Sequence, residues 1–309
     1  MLLFVDSTLP SFSHIRLLAY LMNSRTIHSI IPPPPPHFVG DGFRVHNFFP
    51  SHVEGGMTKT DPFLLLDYGS PHFFEPTTHQ RGVDVHPHRG FETVTFAFKG
   101  SVAHKDSSGG GGIISEGDIQ WMTAGSGVLH EEFHTEEFAR TGGEFHMAQL
   151  WVNLPAEHKM TKPKYQAIKH ESIPRYCDAH CEVEVVAGSH GNVKGIASTF
   201  TEIDMLIVSL KNGGRFEHEC PASYTAIILN IEGEAIISDN HDFPVHHCAV
   251  LANDGELIRI HANEDARLLV LVGKPIRESI VAAGPFVMNT REEIMQAYHD
   301  YSSGTFGTL

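Results

Sequence analysis

The stretch VDVHPHRGFETVTF (residues 83–96) places two histidines one residue apart, with a proline between them. Successive side chains of a β-strand point to opposite faces, so His86 and His88 face the same surface of a sheet. Pro87 has no amide hydrogen to donate, which favours the beginning of a strand or an edge strand. A strand begins where a β-barrel opens, so the pattern predicts two imidazoles directed inward at a barrel mouth. Such a pair can bind one metal ion, and burying it without a partner costs free energy.

A second stretch, GDIQWMTAGSGVLHEE (residues 117–132), supplies further candidate ligands. His130 and Glu132 differ by two positions and share a face, whereas Glu131 points to the opposite face. Three histidines and one carboxylate form a mixed nitrogen and oxygen site suited to Fe, Mn, Co, Ni or Cu, and open coordination positions are typical of catalysis. The alternative is scattered surface histidines, since the chain has 23 of them. Two same-face pairs beside glycine-rich turns favour the metal site.

Composition and charge narrow the class of protein. The 309 residues include 22 basic and 37 acidic side chains, a formal charge of −15, which disfavours direct binding to nucleic acid. No stretch approaches 18 uninterrupted apolar residues, so we expect no membrane span. Four scattered cysteines indicate reduced thiols and hence a cytoplasmic protein. The first 21 residues lack the features of a secretory signal, and we interpret them as extra sequence with little structure before an alternative start at Met22.

Two β-rich blocks organise the chain. Short apolar stretches broken by glycine-containing turns predict antiparallel strands, so the expected class is all-β. ETVTFAFKGSVAH (92–104) aligns without a gap with TAIILNIEGEAII (225–237), which superposes Gly100 on Gly233 and indicates a duplicated unit. In the tail, a capping box at 290–293 predicts a helix. The expected domains are an N-terminal extension open to disorder (1–35), a metal-binding barrel (36–165), a linker (166–182), a barrel without metal (183–275) and a tail with the helix (276–309).

Four strings make the chain resemble a known family. HPHRGFETV, GDIQWMTAGSGVLHEE, LWVNLP and GPFVMNTREEI are similar to motifs of the pirins, bicupins of the cupin superfamily, and the resemblance covers residues 36–309. It implies two stacked antiparallel β-barrels of the double-stranded β-helix or jelly-roll type. It also implies iron in the N-terminal barrel and no metal in the C-terminal one.

The resemblance carries ligand roles over residue by residue. His86, His88 and His130 fall on the pirin metal positions. General cupins take the carboxylate from the first motif, here Glu92, whereas pirins take it two residues after the second-motif histidine, here Glu132. We therefore assign Glu132 as the fourth ligand and place Glu92 behind the ligands. Trp121 and Met122 have two interpretations: they flank a planar ligand, or they pack in the core. The packing interpretation is favoured.

The second block lacks the histidine pair. With Gly100 on Gly233, His86 falls on Glu219 and His88 on Pro221, and a proline side chain cannot bind a metal. We expect the remaining histidines of this block to be surface or ordinary core residues: His218, His246, His247 and His261. The second barrel is then a scaffold or a surface for a partner.

Three functions remain open. The resemblance to quercetinases implies a dioxygenase that opens flavonols such as quercetin with O2 at an Fe(II) site, with Glu132 accepting the substrate's 3-hydroxyl proton. Mn, Co, Ni and Cu are the alternative metals. A rival function is a non-enzymatic regulator whose metal or redox state alters binding to a transcriptional or metabolic protein. A third is an enzyme acting on another small enolic compound. The duplicated form and the lack of heptads predict a monomer.

Overall fold

The structure is a computed structural model that describes residues 23–238 and 240–309. The expected unstructured stretch at residues 1–21 lies outside the described residues. Within them, antiparallel strands dominate, which confirms the all-β prediction. The three α-helices of the described chain are short: α1 (Gly56–Thr60), α2 (Glu136–Thr141) and α3 (Arg291–Ser302). Two 3-10 turns, Ala156–His158 and His170–Ser172, complete the helical part. None of the helices described is long and apolar enough to cross a membrane.

The N-terminal half, residues 37–168, consists of a large and a small sheet. The strands in chain order are β2 (His37–Val39), β3 (Phe43–Phe49), β4 (Phe63–Phe74), β5 (Gly82–His88), β6 (Phe91–Lys99), β7 (Val102–Asp106), β8 (Gly111–Ile114), β9 (Ile119–Thr123), β10 (Val128–His134), β11 (Gly143–Asn153) and β12 (Lys164–Ile168). The large sheet has the strand order β12-β9-β6-β11-β4-β3-β2 and the small one the order β5-β10-β7-β8.

The C-terminal half, residues 175–273, repeats this arrangement, with one strand added from residues 27–31. The strands are β1 (Ile27–Ile31), β13 (Arg175–Cys177), β14 (Cys181–Ala187), β15 (Ser189–His190), β16 (Val193–Lys194), β17 (Ile203–Leu210), β18 (Arg215–Glu219), β19 (Thr225–Glu232), β20 (Ala235–Ile237), β21 (His241–Phe243), β22 (Cys248–Leu251), β23 (Leu257–His261) and β24 (Ala266–Gly273). The large sheet has the order β1-β22-β19-β24-β17-β14-β13 and the small sheet the order β18-β23-β20-β21. A hairpin of β25 (Val281–Ala283) and β26 (Phe286–Met288) precedes α3.

The two halves correspond strand by strand. Reading both small sheets in order pairs β5 with β18, β10 with β23, and β7 with β20. Gly100 and Gly233 occupy the equivalent turns β6–β7 and β19–β20, both with positive φ (82° and 69°), a conformation that favours glycine. The sequence repeat aligned on these glycines is therefore a structural repeat.

The apolar cores explain how the halves meet. The largest cluster combines residues of both large sheets, such as Phe96 and Leu150 with Ile227 and Leu271, so these sheets pack against each other. A second cluster, including Val208 and Phe216, fills the inside of the C-terminal half. The inside of the N-terminal half has a smaller apolar cluster, and polar side chains fill the rest.

The structure shows ordered strands in the predicted N-terminal extension and in the predicted linker. Residues 27–31 form β1, which pairs with β22 of the C-terminal half, so the described part of the predicted extension includes an ordered edge strand. Ile31 is buried in the core between the halves, which supplies the physical reason. The expected linker contains β13, which pairs with β14. The predicted tail helix is confirmed as α3, and Thr290 and Glu293 form its capping box.

Candidate metal centre

Three imidazoles converge between two strands of the small N-terminal sheet. β5 carries His86 and His88, and β10 pairs with it so that His130 lies opposite His86. One nitrogen from each of the three rings lies within 4.8 Å of the others. The ring centroids are 4.2 Å apart for His86 and His130, and 4.8 Å apart for His88 and His130. The two sequence motifs thus meet in space as expected, which makes a shared metal ion feasible.

Hydrogen bonds decide which nitrogen of each ring is free. His86 Nδ1 donates to the carbonyl of Asp84 (2.8 Å), and His88 Nδ1 donates to the carbonyl of Pro285 (3.2 Å). A carbonyl only accepts, so both Nδ1 atoms carry the proton and both Nε2 atoms keep a lone pair. His130 Nε2 is buried without any hydrogen-bond partner. An orphaned buried nitrogen beside two free lone pairs fits a bound metal ion.

His130 is oriented by a chain of two further residues. Its Nδ1 lies 3.5 Å from Nδ1 of His104, whose Nε2 lies 3.3 Å from Oδ2 of Asp106. The carboxylate accepts the Nε2 proton, so a neutral His104 offers its Nδ1 lone pair to the Nδ1–H of His130. This leaves His130 Nε2 unprotonated, as the metal site requires. Hydrogen bonds from His104 and Ser108 lower the pKa of Asp106 to about 2, although burial acts in the opposite direction.

Burial keeps two of the candidate ligands, His88 and His130, neutral. It lowers the pKa of His88 to about 3, with a further contribution from the neighbouring His86. It also lowers the pKa of His130 well below its usual value, again helped by nearby imidazoles. Both rings therefore carry no charge at pH 7, and protons do not compete with a metal ion for their lone pairs.

Glu132 lies beside the three histidines but faces a different set of partners. Its Oε1 accepts a hydrogen bond from Gln120 Nε2 and lies 4.0 Å from His104 Nδ1, while its Oε2 accepts from Gln149 Nε2 at 3.0 Å. It forms a second group of potential ligands with His104 and His130, separate from the group of three histidines. The two groups share His130, so the carboxylate is adjacent to the centre.

Sequence reasoning missed this supporting shell. His104 and Asp106 lie on β7, and Tyr165 stacks on the His104 ring at 5.0 Å. The string Val102-Ala-His104-Lys-Asp106 was a detectable signal, because its alternate residues share one face of a strand just as His86 and His88 do. The two glutamines carry no comparable signal, since an isolated buried amide has no characteristic spacing.

Glu92 and Trp121 are not at the centre. Thr95 of β6 accepts hydrogen bonds from Gln120 and Gln149. Both glutamines also donate to Glu132, so the odd-numbered side chains of β6 point towards the site. Glu92 therefore points to the opposite face, where its Oε1 accepts a hydrogen bond from Thr123 Oγ1 at 2.6 Å. Trp121 belongs to the core between the two large sheets. Strand alternation thus turns Glu92 away from the three histidines that it was expected to support.

Two other aromatic residues lie beside the three histidines. Phe91 and Trp151 stack at 4.2 Å, and each lies beside the ring of His88, at 5.0 and 5.2 Å. Trp151 is half-buried. Met122 packs in a small cluster with Val128 and Tyr165 next to the strand that carries His130.

The C-terminal tail completes the wall behind His88. The tail supplies the Pro285 carbonyl, and Asp300 of α3 lies 2.8 Å from the Arg89 guanidinium, whose side chain is only 3% exposed. Arg89 also lies over the ring of Phe306, at 4.7 Å. Gly90 has a φ of 88°, and a Cβ there would lie 2.0 Å from the carbonyl oxygen of Val287, so only glycine lets the tail approach.

Known proteins share both the sequence and the fold. A family model described as pirin matches residues 42–152, and one described as the pirin C-terminal cupin domain matches residues 205–307. A Pseudomonas aeruginosa protein, provisionally named a quercetin 2,3-dioxygenase, is 44% identical over 272 residues, which are 87% of this chain and 94% of that protein. Pirin of Homo sapiens is 37% identical over 260 residues, covering 81% of this chain and 84% of that protein.

A solved structure extends the likeness to three dimensions. The crystal structure of a quercetin 2,3-dioxygenase from Acinetobacter baumannii matches with a TM-score of 0.87 and 46% sequence identity, covering 92% of this chain and 99% of that one. The histidine motifs, the duplicated strand order and the two family matches agree, and from them we conclude that this chain belongs to the pirin family and has a cupin-type fold.

Proposed function

We propose that the chain is a metal-dependent dioxygenase that opens flavonols such as quercetin with O2 at a mononuclear Fe(II) site in its N-terminal half. We further propose that each half closes into a β-barrel and that the three histidines lie inside the first one. The observation that carries the proposal is the convergence of three imidazoles whose Nε2 atoms are all free for a metal ion.

The donor set fits the proposed metal. His86, His88 and His130 would hold the ion, with Glu132 as the fourth ligand after its carboxylate turns from the two glutamines. Nitrogen and oxygen donors without thiolate suit Fe(II), and also Mn, Co, Ni or Cu. Bound there, the metal would supply Lewis acidity and one-electron chemistry towards O2.

We propose that Glu132 also moves a proton, before it turns towards the metal. In the orientation described here, its two oxygens accept hydrogen bonds from Gln120 and Gln149 and the carboxylate lies next to His130. A flavonol whose 3-hydroxyl reached this carboxylate would lose its proton to Glu132 and become easier to oxidise.

The aromatic pair gives a surface for a planar substrate. Trp151 and Phe91 stack on each other with an interplanar angle of 28°, and Trp151 remains half-exposed beside His88. An aromatic ligand stacking on Trp151 would lie against the metal ligands, with its polar edge towards Glu132. The relatives named as quercetin 2,3-dioxygenases support this substrate class.

The test is O2 consumption by the iron-loaded protein with quercetin. We expect uptake in the wild type, none in His88→Ala, which removes one ligand, and a large decrease in Glu132→Gln with iron still bound. A His79→Ala variant, on the exposed surface, serves as the matched control and should keep full activity. Iron bound at one per chain without any O2 uptake would contradict the proposal. That result would favour another enolic substrate or the regulatory function with a protein partner.

A further inference from the structure

Lys159 is a buried cation that the proposed dioxygenase mechanism does not use. It follows the 3-10 turn Ala156–His158 and is only 1% exposed. Burial lowers the pKa of Lys159 to about 8, although the charges of three carboxylates act in the opposite direction: Glu278, Glu293 and Asp61. In the described part of the chain, none of these carboxylates forms an ion pair with the ammonium. A buried charge without an ion pair is costly, so its hydrogen bonds must offset that cost.

The ammonium joins three segments of the chain. Its Nζ donates to the carbonyl of Gly90 at 2.8 Å, to Oδ1 of Asn153 at 2.8 Å and to the carbonyl of Val287 at 3.0 Å. An ammonium has three N–H donors, and these three acceptors use all of them. An apolar side chain at this position would leave the three oxygens without this donor inside the protein, which costs free energy at each of them.

Two of these carbonyls belong to the segments that orient His88. Gly90 lies two residues after His88. Val287 lies two residues after Pro285, whose carbonyl accepts the hydrogen bond from His88 Nδ1. The two segments also contact each other directly, because the Val287 amide donates to the Arg89 carbonyl at 3.1 Å. The ammonium therefore bridges the strand that carries His88 and the tail, next to this backbone contact.

The close approach of these two segments explains why a cation lies between them. A Cβ on Gly90 would lie only 2.0 Å from the Val287 carbonyl oxygen, so the two backbones touch. Both carbonyl oxygens carry partial negative charge and accept from the same Nζ atom, and without a positive partner they would repel each other. The ammonium thus favours this separation of tail and strand, and with it the present position of the Pro285 carbonyl.

We propose that Lys159 is a positioning residue for the three-histidine metal centre (His86, His88 and His130). By holding the tail against the strand, it keeps the Pro285 carbonyl at hydrogen-bonding distance from His88 Nδ1. That hydrogen bond fixes the Nδ1–H tautomer of His88 and leaves its Nε2 lone pair for the metal ion. This role rests on the metal centre proposed above, whereas the tautomer of His88 is measurable in the metal-free protein.

The first readout is the tautomer of His88 in the metal-free full chain, measured by NMR of the nitrogen-labelled histidine rings and assigned with His88→Ala. We expect the wild type at pH 7 to hold His88 in the Nδ1–H form. Lys159→Met keeps the length of the side chain but donates to none of the three oxygens. His88 should then populate the Nε2–H form as well, which blocks the nitrogen that binds metal. A wild-type tautomer in Lys159→Met would reduce Lys159 to a stabilising residue and overturn the proposal.

Asn230→Ala is the matched control. Asn230 is also buried and donates to two backbone carbonyls, those of Gly233 and Phe243, but it lies in the C-terminal half. Urea unfolding should show that both variants are destabilised, whereas only Lys159→Met should change the tautomer of His88. An equal change in Asn230→Ala would mean that loss of stability, and not the position of the tail, controls His88, and the proposal would fail.

Metal affinity gives the second readout. We expect Lys159→Met to weaken Ni²⁺ binding roughly 10- to 100-fold, with Asn230→Ala unchanged. If Lys159→Met fails to fold, Lys159→Gln replaces it, because the amide can still donate to two of the three oxygens, and its effect should be smaller but in the same direction. A wild type that holds the Nδ1–H tautomer but binds no Ni²⁺ would contradict the metal centre, while the tautomer measurement would still decide the role of Lys159.

Discussion

His130 shows how one buried side chain depends on residues that a metal ion never touches. Its Nε2 is free for a ligand because its Nδ1 faces His104, and His104 in turn faces Asp106. The proton positions along this chain follow from the carboxylate at its end, since a carboxylate can only accept. For the proposed metal centre, we therefore expect a residue on another strand to set part of the affinity.

Asp106→Asn should lower the affinity of the three-histidine centre (His86, His88 and His130) for Fe²⁺ or Ni²⁺ by 10- to 100-fold. The amide donates to His104 Nε2, which moves the His104 proton to Nδ1 and removes the acceptor for His130. Competition with a chelator of known affinity measures the effect. Asp84→Asn is the matched control, because Asp84 is exposed at the rim and binds His86 through its carbonyl, which asparagine retains. Equal losses in both variants would point to the lost charge instead of the hydrogen bond.

Glu92 makes stability depend on pH. Burial raises the pKa of Glu92 to about 7, against the hydrogen bond from Thr123, from a usual value of 4.5. The folded state thus holds this proton more tightly than the unfolded state, so stability falls as the pH rises from 4.5 to 7 and then levels off. The slope is at most about 1.4 kcal/mol per pH unit.

Urea unfolding of the metal-free wild type and Glu92→Gln at pH 5, 6 and 7.5 tests this titration. Glutamine keeps the shape but does not titrate, so its advantage over the wild type should grow between pH 5 and 7. All other titrating groups are shared and cancel in the difference. A difference in the free energy of unfolding that stays constant with pH would contradict a raised pKa at Glu92.

Among the elements, β6 explains why the candidate site was only partly predictable. The histidine pair sits at the end of a strand with exposed neighbours, so alternation alone identified its face. In β6 every residue from Phe91 to Phe98 is buried, because one face looks into the N-terminal half and the other meets the C-terminal half. With both faces buried, the sequence pattern cannot tell which face of β6 holds the site, so it could not predict that Glu92 points away from the three histidines.

The tail hairpin and α3 should contribute to metal binding as well as to stability. Phe306 is 4% exposed and packs on Phe286 and Arg89, so it holds the segment whose Pro285 carbonyl orients His88. Phe306→Ala should cost about 3 kcal/mol and weaken metal binding. Unfolding and metal titrations of the same samples measure both effects.

Met295→Ala is the control on the same segment, because Met295 is 63% exposed on α3 and should change neither quantity. Loss of stability in Phe306→Ala with unchanged metal affinity would mean that the tail stabilises the N-terminal half without positioning His88.

At the scale of the whole molecule, an early strand packs on the C-terminal half and the C-terminal tail packs on the N-terminal half. β1, near the beginning, pairs with β22 of the C-terminal half, while the tail covers the centre in the N-terminal half. Local patterns revealed the two β-rich blocks and the tail helix, since these depend on alternation and capping. They could not reveal this packing, because it rests on contacts between residues roughly 200 positions apart.

Tyr68 joins the two halves through a buried polar contact. Its hydroxyl lies 2.9 Å from His146 Nε2 in its own half and 2.8 Å from His246 Nδ1 in the other half. One imidazole accepts the hydroxyl proton and the other donates to the oxygen, so a single oxygen satisfies two rings. Tyr68 and His146 are both almost fully buried, so no water reaches His146 to replace the hydroxyl, whereas His246 is half-buried.

Tyr68→Phe should therefore lower the free energy of unfolding by about 1–3 kcal/mol, because two ring nitrogens lose their partner inside the protein. Tyr224→Phe is the matched control. The Tyr224 hydroxyl donates to Glu202 at the surface, where water takes its place, and its loss should cost no more than about 0.5 kcal/mol. Urea unfolding at pH 7 compares the two variants. If both cost the same, the contact between the halves contributes no more than a surface hydrogen bond.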